Sequence, residues 1–210
     1  MKLIVKDREP REWVEVRNTP GTDYEAIPAL RESLYKEQGG ICAYCMGRLN
    51  PEPSEDAHTR NKVEHIKPRE SCNRDERMDY NNLVLCCHGT IAGTAPESTH
   101  CDTHKGSSII SFTPMNPVFI DTLSYNYSGE IKSSNSLWNN EISNVLNLNQ
   151  KQLSSNRKAV IMKVVEWLKK NPTKGEIERR IDFYNTRHCG LYEEYCEVAI
   201  WRLKKSLKSR

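Results

Sequence analysis

Two short segments of this chain carry side chains that could bind metal ions and move protons. The first is Cys42-Ala43-Tyr44-Cys45, which has the spacing between cysteines that is found in zinc knuckles. The second is Val63-Glu64-His65-Ile66, in which a carboxylate stands beside an imidazole. A carboxylate can hold a divalent cation, and an imidazole that is neutral near physiological pH can accept a proton from water. Together the two segments indicate a hydrolytic metal centre next to a zinc-stabilised turn.

Two cysteines further along the chain could complete a structural zinc site. Zinc in such sites takes four thiolate or imidazole ligands in a tetrahedron. Cys87 and Cys101 are candidates for the second pair, with 13 residues between them. Cys86 could replace Cys87, but neighbouring residues of a strand point to opposite faces, so we expect only one to reach the metal and favour Cys87. The competing interpretation is four unrelated buried thiols.

The other candidates for catalysis surround the carboxylate–imidazole pair. Glu64 and His65 are adjacent on a predicted strand, so their side chains point to opposite faces unless a twist or bulge brings them to one site. Asn82, which precedes an apolar strand, could orient the imidazole. Asp102 stands in the first turn of a predicted short helix, where an acid is favoured, and could be a second metal ligand.

Two basic residues near this group, Arg69 and Lys105, could contact a phosphate. With them the set has the parts needed for metal-dependent phosphodiester hydrolysis: an imidazole base, two acids for one divalent cation, and positive charges for the substrate. Each residue taken singly has an ordinary structural explanation. The argument for a site lies in their combination and in their order along the chain.

Composition and charge restrict the class of protein without deciding it. The 210 residues are 37% hydrophobic and 28% charged, which is typical of an ordered globular chain. The net charge of +3 is too small to indicate nucleic-acid binding. Residues 150–170 and 204–210 are locally basic. These stretches are either surfaces exposed to solvent or surfaces that contact phosphate or a partner protein. No apolar run is long enough for a bilayer, so we expect a cytoplasmic protein without membrane contact, whose thiols stay reduced.

Hydrophobic periodicity and turn residues predict an α+β fold in two regions. Residues 1–115 form an N-terminal arm and the metal-bearing domain, and residues 116–210 form a hairpin and a largely helical region packed on it. The predicted elements are a short strand and irregular arm over 1–20, a helix over 24–38 ended by Gly39-Gly40, strands over 61–66 and 82–87, a mobile charged segment over 70–79, a helical turn over 101–105, a hairpin over 119–132, and helices over 150–170, 174–187 and 191–207, with Asn149 as N-cap of the first.

The order of the candidate residues resembles that of the HNH endonucleases, whose core is a ββα-metal fold. The family pattern is a cysteine pair, an acid–histidine pair on a strand, an Asn-Leu before the third cysteine, and a last cysteine followed by a ligand and a lysine. The matching residues, within about 41–106, are Cys42, Cys45, Glu64, His65, Asn82, Leu83, Cys87, Cys101, Asp102 and Lys105. The resemblance implies a ββα-metal core with a four-cysteine zinc site.

Carried over by position, the resemblance gives each residue a role. His65 becomes the general base, and Asn82 becomes the residue that orients it. Glu64 and Asp102 hold a catalytic Mg²⁺ or Mn²⁺, and the four cysteines hold structural zinc. Two features depart from the family pattern: the loop before the last cysteine is long, and Asp102 stands where His or Asn is more usual. His104 therefore remains an alternative ligand.

A narrower resemblance is to the HNH subunit of Septu-type and retron-associated antiphage systems. The residues that carry it are Asn82-Leu83-Val84-Leu85-x-Cys87, a long loop, His100-Cys101-Asp102 with Lys105-Gly106, and Val145-Leu146-Asn147-Leu148-Asn149 followed by Leu153 and Arg157. It implies a nuclease acting on DNA or RNA with an ABC-type ATPase partner, in some systems with a retron reverse transcriptase and its nucleic acid. The alternative is a catalytically silent, zinc-stabilised module that binds nucleic acid or a partner protein.

Overall fold

Two small antiparallel sheets and a set of helices make this a mixed α+β protein, as the sequence indicated. The structure is a computed structural model and describes residues 1–52, 61–90 and 98–208. The strands within those residues are β1 (Lys62–His65), β2 (Leu83–Cys86), β3 (Leu123–Tyr125) and β4 (Ile131–Ser133). The α-helices are α1 (Arg11–Asn18), α2 (Pro28–Glu37), α3 (Arg74–Met78), α4 (Cys101–Lys105), α5 (Pro117–Asp121), α6 (Ser136–Asn140), α7 (Lys151–Leu168), α8 (Lys174–Asn185) and α9 (Cys196–Lys208).

The first sheet pairs β1 with β2 in a regular antiparallel register. Lys62 lies opposite Cys86 and His65 lies opposite Leu83, with one partner for each residue between them. This register therefore has no bulge at Glu64 and His65. All four residues of β2 are buried, which agrees with its unbroken apolar sequence, because a strand covered on both faces needs no polar alternation.

The side-chain amide of Gln38 extends the edge of β2. Its Nε2 donates to the carbonyl of Leu85 at 2.8 Å, and its Oε1 accepts from the Leu85 N–H at 2.7 Å. Gln38 directly follows α2, and Gly39 and Gly40 then turn the chain with φ values of 59° and 68°. The predicted glycine stop of this helix is confirmed, and it brings the first cysteine pair next to β2.

The N-terminal arm contains a helix that its sequence did not indicate. We expected a short strand and irregular chain, but residues 1–10 form no strand and α1 follows them. Trp13 is fully buried in α1, and its indole N–H donates to the carbonyl of Met78 at 3.1 Å. A helix this short is marginal by itself, so this tertiary contact stabilises it more than its own sequence does.

The charged segment after β1, which we expected to be mobile, forms a capped helix. A 3₁₀ turn at Arg69–Ser71 comes first, and α3 follows. The Asn73 side chain accepts from the Glu76 N–H at 2.9 Å, and the Glu76 carboxylate accepts from the Asn73 N–H at 2.9 Å. This reciprocal capping box satisfies two backbone donors that a short helix would otherwise leave unpaired.

The second sheet is a hairpin of β3 and β4. It was predicted from residue 119, but residues 119–121 belong to α5 and the first strand begins at Leu123. Gly129 in its turn has a φ of +84°, and a Cβ at this position would lie 2.0 Å from the carbonyl oxygen of Ser154 in α7. Arg157 is fully buried and donates to the carbonyls of Gly129 and Leu148. The turn therefore packs closely on α7, and the close approach requires glycine.

The three C-terminal helices agree with the predicted ones except at their ends. Gln150 rather than Asn149 caps α7, because the Gln150 side chain accepts from two backbone N–H groups of the first turn. Asn149 instead bonds both backbone groups of Ile131 in β4. The last helix begins at Cys196 rather than near residue 191. No helix in the described ranges combines the length and apolar character that crossing a bilayer requires.

One hydrophobic cluster extends through most of the described chain. It includes Trp13 and Leu85 from the first 115 residues and Phe119 and Ile161 from the remainder. A smaller cluster lies around Ile177 among α7, α8 and α9. The division into residues 1–115 and 116–210 stays a prediction.

Candidate metal centre and adjoining cleft

Four cysteine side chains meet at one place in the structure. The sulfur atoms of Cys42, Cys45, Cys87 and Cys101 all lie within 4.8 Å of one another. The Cys42–Cys101 and Cys45–Cys87 sulfur separations are both 3.8 Å. A tetrahedral zinc ion with Zn–S bonds of about 2.3 Å requires sulfur–sulfur distances of about 3.8 Å. The four thiols are therefore spaced to hold a metal ion such as zinc.

The first two cysteines lie on a tight turn. The Met46 N–H donates to the Cys42 carbonyl at 3.0 Å, and the Cys42 N–H donates to the Gly47 carbonyl at 2.9 Å. Met46 has a φ of 65°. The Gly47 N–H also donates to the Cys45 sulfur at 3.3 Å. This contact helps to fix the Cys45 sulfur relative to the backbone of the turn.

The other two cysteines come from the end of β2 and the start of α4. Cys87 directly follows β2, and Cys101 is the first residue of α4, where its N–H donates to the Leu146 carbonyl at 2.9 Å. Cys86 is fully buried and lies outside the group of four. The structure therefore favours Cys87 as the metal ligand, as the sequence did. His100 Nδ1 lies 3.2 Å from the Cys101 sulfur, a contact that the sequence gave no reason to expect.

A cleft of about 160 Å³ brings together four of the six residues predicted for catalysis and substrate contact. Glu64 and His65 line it from β1, Arg69 lines it from the turn that follows, and Asp102 lines it from α4. The remaining two predicted residues do not line this cleft. Residues that are up to 38 positions apart in the sequence thus share one cavity.

Glu64 is a buried acid whose charge is only partly compensated. Glu64 is 4% exposed. Its Oε1 accepts a hydrogen bond from the Tyr44 hydroxyl at 3.0 Å and forms an ion pair with the Lys105 ammonium at 2.8 Å. Burial raises the pKa of Glu64 to about 8, and the hydrogen bond and charge of Asp102 act in the same direction, whereas Lys105 opposes them. Two adjacent acids repel each other when both are ionised, and carboxylate oxygens are of the type that divalent cations take as ligands.

Asp102 faces the cleft from the first turn of α4. Its carboxylate lies 3.5 Å from the Lys62 ammonium, and its proximity helps to raise the pKa of Glu64. The alternative ligand, His104, bonds the Thr99 hydroxyl through Nδ1 at 3.2 Å and does not line the cleft. Asp102 is therefore the better placed of the two. In the part of the chain that the structure describes, the four cysteines are the one group of three or more metal-binding side chains.

His65 ends β1 with its imidazole packed against Tyr24. The two ring centres are 4.4 Å apart, and His65 Nε2 lies 3.0 Å from the Arg77 carbonyl oxygen. Because a carbonyl can only accept, Nε2 carries the proton and Nδ1 keeps its lone pair. Burial, together with the positive charges of Arg69 and Lys105, lowers the pKa of His65 to about 4, although the hydrogen bond to the Arg77 carbonyl opposes this shift. The imidazole is therefore neutral near pH 7.

Asn82 holds the segment behind the imidazole rather than the imidazole itself. Its Oδ1 accepts from the Lys67 N–H at 2.8 Å, and its Nδ2 donates to the carbonyls of Lys67 and Glu76, each at 3.2 Å. The Asn82 carbonyl also accepts from the Ile66 N–H at 3.0 Å. These bonds join the segment just after His65 to α3, the helix whose carbonyl group contacts the His65 imidazole. Any orienting role of Asn82 is therefore indirect.

The two basic residues predicted to contact phosphate lie in different environments. Arg69 is exposed, lines the cleft, and places its guanidinium 5.0 Å from the Tyr24 ring centre. Lys105 is 2% exposed and donates to the His65 carbonyl at 3.1 Å while it pairs with Glu64. Arg69 is thus available to a phosphate. The buried position argues against a direct phosphate contact by Lys105, which instead holds Glu64 and the end of β1.

Two tyrosines that contact residues of the cleft were not identified from the sequence. Tyr44 is buried, and its burial and the nearby charge of Glu64 raise its pKa well above the usual value, so its hydroxyl stays a donor. Tyr24 packs on His65, and burial raises the pKa of Tyr24 to about 12. The position of Tyr44 between paired cysteines was the one available signal, and Tyr24 had none.

Comparison of the chain with family models and with curated proteins gave no match. What the site can do is therefore argued from its own side chains. These are a thiol cluster spaced for zinc, two neighbouring acids in one cleft, and His65, a residue of the same cleft whose imidazole is neutral near pH 7.

Proposed function

We propose that this chain is a metal-dependent endonuclease of the HNH type, which hydrolyses phosphodiester bonds in DNA or RNA. The observation that carries the proposal is that His65, whose imidazole is neutral near pH 7, lines the same cleft as Glu64 and Asp102. The order of elements supports it, because Glu64 and His65 on β1, then β2, then Asp102 on α4 follow the strand–strand–helix order of a ββα-metal core.

The four cysteines have a structural role in this proposal. They would hold a zinc ion that takes no part in the reaction. The turn after α2, the end of β2 and the start of α4 supply the ligands, so the ion fixes three separate parts of the chain relative to one another. Two of these parts, β2 and α4, position the walls of the cleft.

His65 acts as the general base toward water. Its Nε2 is occupied by the Arg77 carbonyl, so Nδ1 accepts the proton. With a pKa of about 4 the imidazole is a weak base before substrate binds. A phosphodiester in the cleft favours the imidazolium through its negative charge and so raises this pKa.

Glu64 and Asp102 would hold the catalytic Mg²⁺ or Mn²⁺, which supplies positive charge for the phosphate as negative charge develops on it. Arg69 donates to a phosphate oxygen from the same cleft, and a guanidinium is well suited to this contact. Lys105 compensates part of the negative charge of the two acids from its buried position. These residues bind and orient the substrate while His65 takes the proton.

The narrower resemblance supports a more specific biological role. In this proposal the chain is the effector of an antiphage defence system and works with an ABC-type ATPase subunit. In a retron-associated system it also works with a reverse transcriptase and the nucleic acid made by it. The support is the residue pattern around the third and fourth cysteines and the segment from Val145 to Arg157.

A second candidate function is a catalytically silent, zinc-stabilised module that binds nucleic acid or a partner protein. The ion pair between Lys105 and Glu64 favours it, because an ammonium 2.8 Å from the carboxylate already supplies positive charge that a cation would otherwise bring. The two candidates differ in whether the cleft cleaves a phosphodiester.

Cleavage of plasmid DNA and of RNA by the zinc-loaded chain with Mg²⁺ or Mn²⁺ tests the proposal. We expect His65→Ala to lose about 10²–10⁴-fold in rate, which is the usual contribution of a general base, while it keeps its zinc and its melting temperature. His104→Ala is the matched control, since His104 does not line the cleft, and we expect the wild-type rate. Equal rates for His65→Ala and the wild type would contradict the assignment of the base. A wild-type chain that cleaves nothing with either ion would favour the silent module.

A further inference from the structure

Tyr44 connects the two candidate metal sites of this molecule. It stands between Cys42 and Cys45 in the sequence, and its hydroxyl donates to Glu64 Oε1 at 3.0 Å. We propose that Tyr44 is a positioning residue, which transmits the geometry of the cysteine cluster to Glu64 and so sets the affinity of the cleft for its divalent cation. The inference rests on the proposed function, because it takes Glu64 as a ligand of that cation.

The backbone next to Tyr44 is tied to β2. The Ala43 N–H donates to the Leu85 carbonyl at 3.1 Å, which ties the cysteine turn to β2. Glu64 lies opposite Val84, the neighbour of Leu85 on the same strand. Metal bound to the cysteines on either side would fix the turn further. The phenol therefore reaches Glu64 from a rigid support.

Two donors from different elements approach the same oxygen of Glu64. Tyr44 comes from the cysteine turn and Lys105 comes from α4, and both contact Oε1. Two donors at one oxygen restrict rotation of the carboxylate. Lys105 also opposes a bound cation by its charge, whereas the hydroxyl of Tyr44 is neutral and orients the carboxylate without that cost. Such outer partners of metal ligands typically change metal affinity by about 10–100-fold.

The same molecule contains a comparable pair away from the cleft. Tyr80 is 3% exposed, and its hydroxyl donates to Glu37 Oε2 at 2.8 Å. Neither residue lines the cleft. Loss of the Tyr80 hydroxyl therefore removes a buried tyrosine–glutamate hydrogen bond without touching the candidate cation site, and it serves as a control for general effects on stability.

Binding of Mn²⁺ to the zinc-loaded chain, followed by the electron paramagnetic resonance signal of free Mn²⁺, tests the proposal. We expect Tyr44→Phe to bind Mn²⁺ about 10–100-fold more weakly while it retains one zinc per chain. Tyr80→Phe should bind as the wild type does, and Glu64→Ala should lose the site. A chain with p-aminophenylalanine at position 44 keeps a donor near the same place, and we expect it to recover most of the affinity.

Each outcome decides between the inference and its alternatives. Wild-type affinity in Tyr44→Phe, or an equal loss in Tyr80→Phe, overturns the positioning role. If Glu64→Ala loses Mn²⁺ and Tyr44→Phe does not, this inference fails alone. If Glu64→Ala binds as the wild type does, the cation is not at Glu64 and the proposed function fails with it. If Tyr44→Phe unfolds, a chain with p-methylphenylalanine at position 44 replaces it, because this side chain fills the space of tyrosine and has no donor. Equal Mn²⁺ affinity of this chain and of the p-amino variant then overturns the inference.

Discussion

The imidazole of His65 is kept neutral by its surroundings, and this has a consequence for stability. In the folded protein its pKa is about 4, whereas a histidine in the unfolded chain titrates near about 6.5. Between these values the unfolded state binds more protons at this position than the folded state does. The free energy of unfolding therefore falls as the pH falls through this window. Above it, both states are neutral and the residue adds no pH dependence.

We expect His65→Gln to lose less stability than the wild type when the pH is lowered from about 7 to about 4.5. Glutamine does not titrate, and its amide can donate to the Arg77 carbonyl in place of Nε2. Urea unfolding of the zinc-loaded proteins at several pH values measures the effect, and both proteins keep the same four cysteines. A difference in unfolding free energy that stays constant across this range would contradict a neutral, buried His65.

Residue types and short spacings indicated the metal-binding candidates better than they indicated their neighbours. The cysteine pair and the adjacent Glu64 and His65 are local features, which a sequence displays directly. The environment of Lys105 is not local, because its carboxylate partner lies 41 positions earlier on another element. A lysine is usually exposed, so a surface contact was the natural prediction, and only the fold shows that Lys105 is enclosed.

Three separate elements supply the cysteines of the cluster. We therefore expect loss of one cysteine to affect how these elements are held together. Cys87 belongs to the group of four, while its neighbour Cys86 is fully buried outside it. We expect Cys87→Ser to bind zinc at least about 10–100-fold more weakly, since loss of a direct ligand should cost no less than loss of an outer partner. It should also melt at a lower temperature, because metal binding and folding are coupled.

Cys86→Ser is the matched control for this prediction. It places a hydroxyl in the core and so costs about 1–3 kcal/mol of stability, but we expect it to retain one zinc per chain. Elemental analysis after competition with a coloured chelator gives the zinc content and affinity of both variants. Equal loss of zinc in both would show that the ligand is not uniquely Cys87.

Elements with a continuous pattern were predictable, and elements that depend on distant contacts were not. The apolar run of β2, the hairpin of β3 and β4, and the short helix ended by Gly106 all follow from local sequence. The eight residues of α1 form a helix because Trp13 reaches the core, and α3 depends on a capping box that our prediction overlooked. The prediction of Asn149 as the N-cap of α7 was wrong, because the Asn149 side chain accepts a hydrogen bond from the backbone of β4.

At the scale of the whole molecule, the C-terminal part supports both sides of the cysteine cluster. The Cys101 N–H donates to the Leu146 carbonyl at 2.9 Å, and the Tyr195 N–H donates to the Met46 carbonyl at 3.1 Å. The sequence indicated that the helical region packs on the first region. It could not indicate which backbone groups meet, because these contacts join residues far apart in the chain and depend on the complete packing.

The central claim is that one scaffold holds zinc among four sulfurs and a second, divalent cation in the adjoining cleft. Crystals of the zinc-loaded chain soaked in Mn²⁺ test it directly, because anomalous scattering at the two absorption edges distinguishes the metals. We predict zinc about 2.3 Å from each cysteine sulfur, and manganese in the cleft with Glu64 and Asp102 oxygens as ligands. Manganese bound elsewhere or not at all, or zinc away from the four cysteines, would contradict the account.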